Sequence, residues 1–114
     1  MSAFDTVTNW LSMKEAAEQL GISSGKLHRL IEQHFLFAVK HNGELKIPAE
    51  VIVDGEPLAS LRGTILVLLD AGLKIDEAAS WLYTPAVELG GTPIASLLQG
   101  HKAPVRRLAQ ALAL

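Results

Sequence analysis

The sequence predicts a mainly α-helical chain with one β-hairpin, and three observations predict it. Two helix-start signals, Ser12 to Glu15 and Ser23, lie on either side of a short turn at Gly21-Ile22. An Asn42-Gly43 pair sits between two short runs rich in Phe, Val, Leu and Ile. From residue 58 onward, apolar residues recur at helical spacing and are punctuated by Gly72, Pro85, Pro93 and Gly100.

Residues 1–9 carry no periodic pattern and read as a flexible tail. Ser12 with Glu15 three residues on is a capping box, in which hydroxyl and carboxylate take up amides that the first helical turn leaves without partners. A helix therefore begins at residue 13. Ala16, Ala17 and Leu20 form its apolar stripe, and Gly21 supplies the left-handed residue on which helices commonly end. Ile22 plugs the turn and Ser23 caps a second helix. There Leu27, Leu30, Ile31 and His34 fall on one side at i, i+3, i+4, i+7 spacing. Gly25, His28, Arg29 and Glu32 fall on the other, flanked by Lys26 and Gln33. A turn this short between two helices makes a helix-turn-helix.

Two registers are open to the hairpin. A two-residue loop at Asn42-Gly43 sets Lys40 opposite Leu45 and Val39 opposite Lys46, mixing polar and apolar residues on both faces. A three-residue loop, His41-Asn42-Gly43, pairs Phe37 with Ile47, Val39 with Leu45 and Lys40 with Glu44, and makes one face wholly apolar. The three-residue loop is therefore expected, with Lys40, His41, Asn42 and Lys46 turned to solvent. Helix-turn-helix followed by hairpin, over residues 10–53, is a winged helix-turn-helix.

Residues 53–57, Val-Asp-Gly-Glu-Pro, read as a joint, and residues 58–114 as a compact C-terminal helical domain. Helices are expected from Leu58 to Leu69, from Asp76 to Tyr83, from Thr92-Pro93 to Gly100, and from near Pro104 onward. The last carries Val105, Leu108, Ala109 and Leu112 on one face, with Arg106 and Arg107 off it. Four short helices cannot each bury a stripe alone, so they pack on the winged unit, on each other or on a second chain. A homodimer through the C-terminal helices is one expectation that follows.

Composition removes several function classes. With 114 residues and 49% hydrophobic content, the chain can build a core without covalent staples. It has no cysteine, which excludes disulfides, thiolate metal sites and a cysteine nucleophile. His28, His34, His41 and His101 show no metal-ligand spacing. Gly90-Gly91-Thr92 lacks the lysine of a phosphate-binding loop, and a helix cap explains the same residues. No metal or cofactor is expected, and no pairing of nucleophile with base marks an enzyme. Apolar runs reach no further than five residues, as in Ile65 to Leu69, far short of the roughly 20 residues that cross a bilayer. The N-terminus also lacks the basic-then-apolar order of a signal peptide. A cytoplasmic, non-membrane protein is expected.

Helix-turn-helix proteins present the N-terminal part of the second helix to base edges in a major groove, which singles out Ser24, Lys26, His28 and Arg29, with Gln33 further along. Arg29 suits a bidentate contact to guanine. Lys40, His41, Asn42 and Lys46 on the wing would lie along phosphates. Double-stranded DNA is the partner to which this pattern points. Residues 1–50 carry five Lys or Arg against six Asp or Glu, so the unit lacks the strongly basic surface on which such binding usually draws, and modest affinity is expected. Helix-turn-helix units also serve as protein-binding modules, and that reading stays open.

The stretch from Trp10 to Ile52, with its Leu11-Ser12-x-x-Glu15-Ala16-Ala17 start and its Leu20-Gly21-Ile22-Ser23 turn, resembles the excisionase and MerR-like DNA-binding domains. With LRGTILVLLDAG, EAASWL, GGTPIASLLQG and VRRLAQALA included, the chain from Trp10 to Leu114 resembles a small actinobacterial family of winged helix-turn-helix DNA-binding proteins with a C-terminal helical domain. This resemblance implies nonspecific or weakly specific DNA binding by a cytoplasmic transcription regulator or nucleoid-associated protein. A second resemblance rests on the C-terminal half alone. Trp81-Leu82-x-x-Pro85, Leu89-Gly90-Gly91, Thr92-Pro93-x-x-x-Leu97-Leu98 and Gly100 are similar to the toxin-binding domain of Xre- and ParS-type antitoxins, which implies a protein partner, a toxin, for those helices.

Overall fold

The computed structural model describes residues 3–113, so Met1 and Ser2 of the expected tail, and Leu114, lie outside the described residues. Strand β1 (Trp10–Ser12) runs directly into helix α1 (Met13–Leu20). Ser12 ends the one and caps the other. Its Oγ accepts the Glu15 amide at 3.1 Å, and the Glu15 carboxylate accepts the Ser12 amide at 2.8 Å, which is the expected capping box. After the left-handed Gly21, Ser23 Oγ accepts the Lys26 amide at 3.2 Å and opens α2 (Ser24–Glu32). This helix stops short of the expected stripe. His34 lies beyond its end at φ 68°, where the Phe35 amide donates to the Leu30 carbonyl at 2.9 Å and the His34 amide to the Ile31 carbonyl at 3.1 Å. That pair of bonds is a Schellman ending, with histidine in the position glycine usually takes.

The sheet has three strands, in the order β1-β3-β2, with β3 (Glu44–Pro48) between β1 and β2 (Val39–His41). β1 pairs Leu11 with Ile47 and Ser12 with Lys46. The hairpin takes the two-residue loop, pairing Val39 with Lys46, Lys40 with Leu45 and His41 with Glu44, and this corrects the expected register. Asn42 and Gly43 both have positive φ, 55° and 82°, the requirement of a type I′ turn, whose twist matches that of the strands it joins. A sheet face has to be apolar only where something covers it. Leu11 and Ile47 are buried, but Leu45, one pair nearer the tip, is 47% exposed. Asp54 and Gly55 repeat the positive-φ pair, so the expected joint at residues 53–57 is a second small hairpin, β4 (Ile52–Val53) with β5 (Glu56–Pro57).

The second half holds α3 (Leu61–Asp70), α4 (Ile75–Leu82), α5 (Pro93–Leu98) and α6 (Lys102–Ala111). α3 starts three residues later than expected because the Leu58 amide returns to the Val51 carbonyl at 2.9 Å and holds the chain in a turn. Thr92 Oγ1 caps α5 by accepting the Ala95 amide, with Pro93 in the first turn. On α6, Val105 and Ala109 are buried and Leu108 is partly buried, which leaves Leu112 exposed. The stripe that suggested self-association is therefore largely used within the chain. Arg106, expected off that face, is partly buried, and its guanidinium lies over Gly63 of α3 in space that a side chain there would claim.

One apolar core runs through both halves. Leu11, Ala16, Leu27, Phe37 and Ile47 belong to the same buried cluster as Leu61, Ile65, Leu82, Ile94 and Val105. Each fully buried leucine or isoleucine contributes roughly 1.5–3 kcal/mol, so this shared core outweighs any single polar contact between the halves. Residues 3–6 of the expected tail form a 3-10 turn. Its Phe4 ring stands 5.1 Å from that of Tyr83 and 6.0 Å from that of Trp10. Those residues are packed rather than loose.

Candidate nucleic-acid interface

α2 rests on the core through Leu27, which is fully buried, with Leu30 and Ile31 partly buried beside it. Helical periodicity then turns the remaining positions outward, and Ser24, Lys26, His28, Arg29, Glu32 and Gln33 are all exposed. Lys26, Arg29 and Gln33 line one shallow groove with Ile22 and Leu30. Two cations and an amide thus share one flank of the helix, and Ser24 and His28 take the other flank. Gly25 has no side chain to add to either.

The wing distributes its residues less evenly, and the two-residue loop is the reason, because a one-residue change of register turns every side chain of a strand to the other face. Lys40 is exposed but stands on the face that continues Leu11 and Ile47, and with Leu45, Phe4, Asp76 and Ser80 it lines a groove between wing and α4. Asn42 is exposed at the tip. His41 is set back, its ring stacked on Trp10 with 4.4 Å between centroids and 14° between planes. Lys46 is partly buried in the central strand, opposite Ser12 and Val39, and not at the tip as expected. It lies near Glu15, whose carboxyl is held below the usual carboxylate range first by the hydrogen bond from the Ser12 amide, then by the Ser12 hydroxyl, and last by the Lys46 charge.

One cation here belongs to no motif. Arg62, in the first turn of α3, donates from Nε to the Gln33 carbonyl at 2.8 Å, and its guanidinium lies 4.8 Å from the centroid of the Phe35 ring. It thereby caps the end of α2, where unpaired carbonyls carry partial negative charge. Arg62 and Gln33 are 29 residues apart, and no local pattern links them. Among the described residues, no group of three or more His, Asp or Glu could hold a metal ion. No helix among them is long and apolar enough to cross a membrane.

Fold and site together define a small, mostly helical protein built on a winged helix-turn-helix. A family model described as the winged helix-turn-helix domain of DNA-binding protein Rv2175c matches residues 2–52, and one described as the Rv2175c C-terminal domain of unknown function matches residues 58–113. The chain belongs to this Rv2175c family of winged helix-turn-helix proteins. A relative named DNA-binding protein Rv2175c, from Mycobacterium tuberculosis H37Rv, is 31% identical over 74 residues, which cover 64% of this chain and 51% of that protein. The match thus spans about half the length of that relative. The NMR structure of Rv2175c superposes with a TM-score of 0.85 at 27% identity, covering 96% of this chain and 84% of that one.

Proposed function

We propose that this chain binds double-stranded DNA, with α2 laid in the major groove and the wing against the backbone. One observation carries the reading: a capped helix of nine residues, anchored by Leu27, exposes Lys26, Arg29 and Gln33 side by side at the position of a recognition helix. The name of the Mycobacterium tuberculosis relative supports it. Arg29 is suited to a guanine edge, with Lys26, Gln33, Ser24 and His28 around it. On the wing, Lys40 and Asn42 reach phosphate, and His41 and Lys46 stand behind them. The chain carries 10 Lys or Arg against 12 Asp or Glu, so affinity comes from a few placed cations and not from a general positive field. Weak sequence preference and modest affinity fit a cytoplasmic regulator or nucleoid-associated protein.

Fluorescence anisotropy titrations of several duplexes at several salt concentrations test this reading. Arg29→Ala should cost roughly 1–3 kcal/mol and flatten any sequence preference. Lys40→Ala should weaken all duplexes alike and lower the salt slope by about 0.9. Lys46→Ala should do less, because that ammonium is set back beside Glu15. If Lys26→Ala and Arg29→Ala both leave binding intact, α2 is not the recognition helix.

The rival reading, an antitoxin-like C-terminal half that grips a protein partner, has one observation in its favour. Val87, in the loop between α4 and α5, is 97% exposed. Against it, Leu82, Ile94 and Leu97, the apolar residues such a surface would offer, are buried in the chain's own core. Pairing of two copies through the C-terminal half would have Val87, Leu98 and Leu112 as its exposed large apolar residues, and the DNA reading does not require it.

A further inference from the structure

We infer that Arg62, from the C-terminal half, is a phosphate contact at the far end of α2. The inference rests on the DNA-binding reading of that helix and extends it to a half of the chain whose family model is described as of unknown function.

Length comes first. A helix of nine residues is roughly 13–14 Å long, and the major groove is about 12 Å wide. A helix of that length that enters the groove by its N-terminal turns, the end that meets the bases, leaves its C-terminal end near a phosphate wall. The C-terminal end is the difficult one, because its carbonyls carry partial negative charge and Glu32, in the last turn, is exposed there. Left alone, that end would repel the backbone it approaches.

Arg62 offsets much of the negative charge at that end. Its Nε donates to the Gln33 carbonyl and its Cζ lies over the Phe35 ring, so the side chain is tethered at two points and has less rotamer freedom to lose on binding. The residue is exposed, and the Nε bond leaves the N–H donors of both terminal nitrogens, the pair that grips a phosphate in bidentate fashion. Lys26, Arg29 and Arg62 then place a cation at successive points along α2. A cap alone would need only the Nε bond. A charge fixed on the surface beyond it is what a phosphate needs.

The experiment compares the full-length protein with its Arg62→Gln, Arg62→Lys and Arg29→Ala variants, by anisotropy on one fixed duplex over a range of salt, with circular dichroism melts of each. Arg62→Gln should bind several-fold more weakly at low salt, approach the wild type at high salt, and show a slope of log affinity against log salt smaller by about 0.9. Arg62→Lys, which keeps the charge, should keep the slope. An unchanged slope in Arg62→Gln overturns the contact even if affinity falls, since lost capping weakens binding without releasing fewer counterions. A slope lost equally in Arg62→Lys overturns it as well, because charge would not be the cause. A wild type that binds and is weakened by Arg29→Ala alone leaves the recognition-helix reading standing and removes only the role of Arg62. A wild type that binds no duplex removes both.

Discussion

Like Arg62 at Gln33, Tyr83 makes one of the polar contacts between the two halves of the chain. It is buried, its hydroxyl donates to Glu50 at 2.8 Å, and its ring meets Phe4 and Phe37. Burial first, then the Glu50 acceptor and its charge, push the phenol pKa well above its ordinary value near 10. A raised folded-state pKa contributes stability that is fully present below the unfolded value and is lost as pH rises past it. The fold should therefore weaken above about pH 10. Because the chain has a single tyrosine, phenolate absorbance reports on Tyr83 alone. Its alkaline titration should coincide with loss of the circular dichroism signal, and phenolate forming near pH 10 in a still-folded protein would contradict this placement. Contacts of this kind are the least legible in a sequence. Tyr83 and Glu50, like Arg62 and Gln33, are separated by about thirty residues, and neither pair announces itself by spacing.

At the scale of elements, legibility follows distance along the chain. Both caps of the helix-turn-helix were readable because a capping bond spans three residues, and the types Ser12, Glu15 and Ser23 are sufficient evidence for it. Strand β1 was not readable. It is three residues long, and its partner is β3, more than thirty residues on. The hairpin departs from the expected register for a different reason: an apolar-face argument holds where a sheet is covered, and Leu45 stands beyond the cover. The two-residue loop turns Lys40 toward α4, while the pairing of β1 with β3 sets Lys46 in the central strand. Among the elements, the α1 cap makes the clearest prediction. Ser12→Ala should cost about 1 kcal/mol and lower the melting temperature by roughly 4 °C, and an unchanged melting temperature would show that the box does not hold the start of α1. The Glu15 half of the box adds an acid dependence. A lowered pKa gives stability present above the unfolded carboxylate value and lost as pH falls through the lower folded one, so protection of the first amides of α1 from exchange should fade on acidification below about pH 4.

For the molecule as a whole, the expected division into a tail, a winged unit and a helical domain describes the order of elements better than their packing. Phe4 of the tail touches both Trp10 and Tyr83, and the buried residues of the two halves form one cluster. The C-terminal helices are thus part of the platform that holds α2 in place, through Arg62 at its end and through the core beneath Leu27. The central claim is that α2, carried on this platform, is the surface that meets DNA. Amide chemical-shift mapping of the full chain on adding a short duplex at low salt tests it most directly. Shifts are expected to concentrate on residues 24–33, on residues 40–43 of the wing and at Arg62, with α5 and most of α6 unmoved. Shifts confined to α5, α6 and the loop around Val87, with α2 unmoved, would contradict it.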